Sequence, residues 1–320
     1  MKSEKWLLTK GCMLISFLIL CSCQPSMKQE IQTLINPYIF VLGVAQDAGY
    51  PQINCEKECC QRVYTNPENK RLISSIAVID PNSKEEWIFD ATPSFSDQLK
   101  LLNNQTQRPG DLPEGIFLTH AHIGHYTGLM YFGHEAMGAS NVSVYAMPRM
   151  TEYLKTNGPW SQLVDYKNIE LKALQKDSTI VLNKRISVTP IQVPHRDEYS
   201  ETVGFLISVN SKQILFIPDI DKWTKWERSI TEYIQQVDFA FVDATFFKNG
   251  EINRDMSQVQ HPFVEESIGL FKDLSTQDKA KVHFIHFNHT NPLLIKNSDA
   301  QKAVLKNGFK IAEQGMVIEL

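Results

Sequence analysis

Nowhere in the chain do lysine and arginine gather into a block: 32 basic residues face 36 acidic ones, for a formal charge of -4. Nucleic acids and anionic membrane surfaces draw their affinity from clustered cations, so electrostatics alone give no reason to expect either as the partner of this faintly acidic, evenly charged sequence. Long hydrophobic runs are missing as well. The apolar stretch Met13–Leu20 is far shorter than the ~20 residues that span a membrane. No internal repeat, low-complexity tract or long linker appears after residue 37, which leaves a single domain. At 42% hydrophobic and 21% charged, that domain can bury a sizeable core. Cysteine is scarce, with 6 residues in 320, and its placement is uneven.

Three of the cysteines, Cys12, Cys21 and Cys23, lie in the opening segment, where Lys2, Lys5 and Lys10 precede Met13–Leu20. Positive residues before a short apolar run mark an export signal. The run ends in LCSC, which resembles a bacterial lipoprotein signal with Cys23 as the lipidated residue. The expected organisation is a signal peptide over 1–22, a polar tether over 23–37 and a folded domain over 38–320. The mature protein is then an exported lipoprotein held at a membrane by its lipid, facing the periplasm or the cell surface. Cys55, Cys59 and Cys60 form a separate, odd cluster. Three thiols cannot pair completely and adjacent cysteines make a strained disulfide, so a thiolate metal site fits them. In an exported compartment the alternative is one disulfide and a free thiol.

From Tyr38 onward about ten short β-rich runs alternate with polar turns, among them YIFVLGVA, GIFLTH, QILFIPD and VHFIHF. Helical stretches lie between some of them, including SFSDQLKLLNN and HPFVEESIGLFKDL. This is an α+β pattern, two sheets packed together and flanked by helices. Several strands end on a residue able to bind metal: His120, His195, Asp219 and His286 each follow an apolar run. The densest stretch is THAHIGHYTGL, residues 119–129, with His120, His122 and His125. At an extended strand end, residues i and i+2 point the same way, so His120 and His122 can grip one cation. His125 follows after the chain has turned and can face a second. Neutral imidazoles with a carboxylate suit Zn²⁺ and similar ions with one position open.

THAHIGHYTGL resembles the His-x-His-x-Asp-His signature of the metallo-β-lactamase fold superfamily, and His195, Asp219 and His286 follow in the order of its later ligands. The resemblance implies an αββα sandwich of two mixed β-sheets flanked by helices. It implies a first metal held by His120, His122 and His195, with Asp219 bridging to a second held also by His125 and His286. Asp90, in FDATP, is similar to the early aspartate that orients the histidine loop without binding metal. Gly124 stands where the signature has Asp and offers no ligand atom. The expectation is therefore one tight Zn²⁺ site and a second that is weak, optional or filled differently, by iron or manganese. GVAQDAGYPQINCEKECC, followed by NKRLISSIAV, resembles the openings of the pyrroloquinoline quinone biosynthesis protein B and phosphoribosyl cyclic phosphodiesterase families, and FVDATFF and HFNHTNP extend the likeness to the former. The latter resemblance implies a closed structural Zn²⁺ site of Cys55, Cys59, Cys60 and His289, although the Cys-x₃-Cys-Cys spacing departs from the family's.

The function expected is a metal-dependent hydrolase acting on a small-molecule substrate, with His120, His195 and Asp219 as the catalytic set and activated water attacking an ester or phosphodiester-type bond. Two rivals stand beside it. The quinone-biosynthesis resemblance implies an iron-dependent oxygenation. The loss at Gly124 suits a non-catalytic, metal-binding lipoprotein. His261, Arg196, Asp197 and Glu198 are candidate substrate contacts, and His134 and His283 read as packing or surface residues. Substrate identity and oligomeric state are not written in the sequence.

Overall fold

A computed structural model describes residues 34–320, and its packed unit runs from Leu34 to Leu320. The export signal, Cys23 and most of the tether lie outside the described residues. Leu34 already packs against the helical layer, so the unit reaches a few residues into the stretch assigned to the tether. Among the described residues no helix is long and apolar enough to cross a membrane.

Two seven-stranded mixed sheets form the frame. The first holds β1 (Tyr38–Gly43), β2 (Ser75–Asp80), β3 (Glu85–Phe89), β4 (Gly115–Phe117), β5 (Val142–Ala146) and β6 (Ile169–Ala173). The second holds β7 (Ile180–Val181), β8 (Ile186–Gln192), β9 (Val203–Val209), β10 (Lys212–Ile217), β11 (Phe239–Asp243), β12 (Val282–Ile285) and β13 (Lys310–Ile311). The last strand, β14 (Val317–Glu319), returns to the first sheet and pairs antiparallel with β1. The ten runs expected from sequence are all strands. The four not expected, β6, β7, β13 and β14, are short or polar in pattern and take their pairing from a neighbour rather than from their own periodicity.

β1 is buried along its whole length, which is how a strand covered on both faces reads. Its alternate residues go opposite ways. Ile39 and Val41 face the second sheet in the main core, whereas Tyr38, Phe40 and Leu42 pack under helices. Between the sheets, Phe89 stacks on Phe117 at 5.0 Å and meets Phe205 edge-on at 5.3 Å. Each such pair adds about 0.5–1.5 kcal/mol beyond the area it buries. The outer face of the first sheet is closed by the helix Phe95–Thr106 through Phe95 and Leu102, with Leu129 and Phe132 beside them. The outer face of the second is closed by the helices Ile230–Gln236, Val264–Leu270 and Asp299–Lys306 through Ile234, Val264 and Val304. The result is the αββα sandwich of the α+β class.

Candidate metal centre

Strand direction gathers the site. β1 and β3 run the same way, each antiparallel to β2, and β4 runs parallel to β3. In the other sheet β8, β10, β11 and β12 share one direction. Their C-terminal ends therefore reach one edge of each sheet. Asp47 follows β1, Asp90 follows β3, His120 follows β4, His195 follows β8 and Asp219 follows β10. Asp243 closes β11 and His286 follows β12. Asp90 and His286 sit at φ +71° and +69°, left-handed backbone that costs a side-chain-bearing residue roughly 1–3 kcal/mol and is tolerated where surrounding contacts enforce it.

The first donor set is the one expected. His120, His122, His195 and Asp219 bring one ligand atom each to within 4.8 Å of one another. His120 Nε2 lies 2.8 Å from His122 Nδ1, and His195 Nε2 lies 3.2 Å from the same atom. Asp219 Oδ2 is 3.4 Å from His120 Nε2 and 3.2 Å from His195 Nε2.

The second set differs from the expectation in one residue. His125, His286 and Asp219 converge as expected, and Asp47 joins them. Asp47 Oδ1 lies 3.2 Å from His125 Nε2 and 3.4 Å from His286 Nε2. Gly124 explains how it gets there. A Cβ at position 124 would lie 2.6 Å from the Cα and Cγ of Asp47 and would collide with its Oδ1. The glycine makes room for a carboxylate from another loop. The centre thus has the charge that Gly124 alone appeared to remove, and the inference of a second site short of a carboxylate is corrected on that point. The Asp47 loop is irregular, so no periodicity in the sequence aimed this side chain.

Two observations show that the residues fit metal ions. Asp47 Oδ1, His125 Nε2 and His286 Nε2 are buried without a hydrogen-bond partner, both nitrogens within 3.4 Å of the carboxylate oxygen. Three bare polar atoms crowded in one interior space are costly unless a cation fills it. The far nitrogens, in contrast, are engaged. His125 Nδ1 sits 2.7 Å from Asp90 Oδ2, His286 Nδ1 2.9 Å from Thr245 Oγ1 and His120 Nδ1 3.0 Å from Thr119 Oγ1. His195 Nδ1 is 3.3 Å from Asp221 Oδ1, and His122 Nε2 is 3.3 Å from Glu198 Oε2. Such partners fix the rings of metal-binding histidines. Asp90 also accepts hydrogen bonds from the Thr119 amide (2.8 Å) and hydroxyl (2.9 Å), which ties the end of β3 to the start of the histidine segment.

Charge follows the same geometry. Burial acts to lower the His125 pKa, yet Asp90 and Asp47 hold it well above the usual histidine range. Burial acts to raise the carboxyl pKa of Asp47, and the His125 and His286 imidazoles beside it hold it well below the ordinary value. His120, where burial prevails, is held well below. The carboxylates demand positive charge here, from protons or from a metal.

His261 emerges as part of the centre. Its Nδ1 lies 2.8 Å from Asp243 Oδ2 and 3.1 Å from Asp219 Oδ1. Asp243 is fixed by the Ile220 amide, at 3.1 Å, and by the amide and hydroxyl of Thr245. The Thr119, Thr245, Asp221 and Asp243 contributions had no signal beyond their place next to a strand end. Cys55, Cys59, Cys60 and His289 form a separate set within 4.8 Å, with all three cysteines free. Burial pushes the Cys60 thiol up to about 12, a desolvation that a bound cation would offset. Asp197 and Glu198 are tied to the backbone frame, their carbonyls accepting from Arg149 Nη2 at 2.8 and 3.3 Å. His134 stacks on Tyr166 at the surface, and His283 is buried against Phe241.

The model of the β-lactamase superfamily domain matches residues 86–287, more than half of the chain. The chain belongs to that superfamily. Coenzyme PQQ synthesis protein B from Acinetobacter baylyi is 28% identical over 312 residues, spanning 88% of this chain and 99% of the relative. Among solved structures, zinc-bound PqqB from Methylobacterium extorquens shares the fold with a TM-score of 0.75 at 22% identity, over 88% of this chain and 100% of that one. A diphosphatase of the PhnP family aligns with a TM-score of 0.62 at 21% identity, over 89% and 97%. Both likenesses expected from the cysteine-rich opening are thus present in the superfamily member described here.

Proposed function

We propose that this protein is a metal-dependent hydrolase that directs activated water at an ester or phosphodiester-type bond of a small molecule. One observation carries the reading: two donor sets share Asp219, the second with buried ligand atoms that lack hydrogen-bond partners, and His195 of the first set lines an open cavity with His261. His120, His122, His195 and Asp219 would hold one divalent cation, and Asp47, His125, Asp219 and His286 the other. Such ions acidify water and offset the negative charge that builds on a substrate oxygen. The chain's own residues do the rest. Asp90, Thr119, Thr245 and Asp221 fix the imidazole tautomers. His261 has its Nδ1 anchored on Asp243 and forms part of the cavity wall. Burial opposes its protonation, while the Asp243 and Asp219 carboxylates beside it raise its pKa well above the usual range when no cation is bound.

The Cys55, Cys59, Cys60 and His289 set supports a closed structural zinc that pins the loop after β1 to the segment after β12. The leader supports export, with Cys23 as a lipid anchor.

A second reading is favoured by one finding, that the likeness to coenzyme PQQ synthesis protein B covers 98% or more of the first relatives. In that reading the centre takes iron and supports oxygenation in the synthesis of that coenzyme. Elemental analysis of the purified protein, paired with phosphodiester, lactone and β-lactam substrates and an oxygen electrode, separates the two. Zinc with ester or phosphodiester turnover supports hydrolysis. Iron with oxygen uptake and no hydrolysis overturns it.

A further inference from the structure

The cavity beside the metal centre has walls that the hydrolase reading does not use. It encloses about 400 Å³ between the centre and the segment from Phe247 to Gln260. Two cationic side chains, Arg196 and Arg254, line it, together with amide side chains such as Gln52 and Gln258, and no carboxylate belongs to the lining. The arginines are not spent on partners. Arg196 has a single carboxylate within reach, Glu198 at 4.0 Å, and Arg254 has no ion pair among the described residues. In a chain where acids outnumber bases, two unneutralised guanidinium groups on one small concave surface are a local reversal of sign. One further wall is apolar: Phe246 and Val259 pack with Met256 and Phe263 in a satellite core of their own, with Ile252 against them. The Phe247–Gln260 segment is therefore a packed wall rather than a loose loop, and its first residues are tied into the fold. The Phe247 amide donates to Glu251 Oε2 at 2.6 Å, and Thr290 donates to Glu251 Oε1.

We propose that this cavity is an anion subsite: it takes a compact substrate whose carboxylate or phosphate lies on Arg196 and Arg254 while its apolar body lies on Phe246, Ile252 and Val259, leaving its reactive bond at the metal centre. Guanidinium groups match both oxyanions because their planar donors pair with two oxygens at once. The amides of Gln52 and Gln258 add donors without adding repelling charge. A neutral or cationic substrate would leave both arginines, which are exposed at the cavity, with water alone as partner. Calling the ligand a substrate rests on the hydrolase reading; the existence of the anion subsite does not.

The test uses the zinc-loaded, full-length protein and two arms. In the first, calorimetry measures binding of benzoate, phenylphosphonate and the neutral benzamide to the wild type, to Arg254→Met, to Arg254→Lys and to the Arg196→Met/Arg254→Met double variant. Each lost arginine contact should weaken the two anions about tenfold and leave benzamide unchanged, with Arg254→Lys in between. Benzoate against phenylphosphonate decides which oxyanion fits better. In the second arm, phenyl acetate and its 4-carboxy analogue are compared as substrates, and the double variant should lose the preference for the charged ester through KM. Equal binding of benzamide and the anions by the wild type, or wild-type anion affinity in a folded double variant, overturns the subsite. Arginine-dependent anion binding without turnover of either ester or of the phosphodiester, lactone and β-lactam substrates upholds the subsite and removes the hydrolase reading instead.

Discussion

The exchange between Gly124 and Asp47 is open to direct perturbation. Asp47→Ala removes one of two carboxylates from the set formed with His125, Asp219 and His286. Groups that merely orient a metal ligand are worth 10–100-fold in affinity, so losing a ligand should weaken the second equivalent of zinc by at least about 100-fold, near 2.7 kcal/mol at ~1.36 kcal/mol per decade. Gly124→Asp should fail for a different reason. Its Cβ would press on the Asp47 backbone at 2.6 Å, and backbone cannot step aside as a side-chain tip can. Overpacking of this kind costs about 1–3 kcal/mol. The double variant Asp47→Gly/Gly124→Asp clears Cγ and Oδ1 of residue 47, leaves its Cα, and supplies a carboxylate from the other segment. It should recover part of the thermal stability and of the second-zinc affinity that Gly124→Asp loses. Zinc titration by calorimetry, elemental analysis and thermal unfolding read all four proteins. Tight binding of a second zinc by Asp47→Ala, or a double variant that binds the second zinc no better than Gly124→Asp, would refute the exchange.

Asp90→Asn should keep the fold but lower metal affinity about 10–100-fold, since the amide cannot both accept from Thr119 and hold the His125 Nδ1–H as the carboxylate does; unchanged zinc content after dialysis against a weak chelator would contradict this. Cys59→Ser should lower the unfolding temperature and make it insensitive to strong chelators that destabilise the wild type, and an equal chelator response in both would remove the structural zinc. Glu86 is fully buried with both carboxylate oxygens unpartnered, and burial pushes its pKa from 4.5 up to about 7, although Arg108 at 3.8 Å pulls the other way. The folded state thus binds the proton more tightly than the unfolded chain, so this contribution is complete below about pH 4.5 and is lost as pH rises through 7. Glu86→Gln should flatten that decline and exceed the wild type at pH 8 by up to about 3 kcal/mol in urea unfolding, whereas parallel pH curves would show that Glu86 does not titrate this way.

The sequence by itself determined the layered fold and most of the centre. Apolar runs such as YIFVLGVA and QILFIPD carry their own evidence for buried strands, and His120, His122, His195, Asp219 and His286 sit at strand ends where the pattern stops. Local chemistry was enough there, because period and position are properties of short segments. It also marked position 124 as a vacancy in a known motif, which is where reading along the chain stopped being sufficient. Only the tertiary structure decided that Asp47, 77 positions earlier in sequence order by subtraction of 47 from 124, fills that space. The sequence offered His261 and Arg196 only as candidate substrate contacts, and their places at the centre and on the cavity wall, like those of Asp243 and Arg254, were decided in the same way. Each of these comes from an irregular loop or an unremarkable strand end. Its side chain is aimed by the packing of distant segments against one another, and no periodicity encodes a direction that is set by what the chain meets after it has folded.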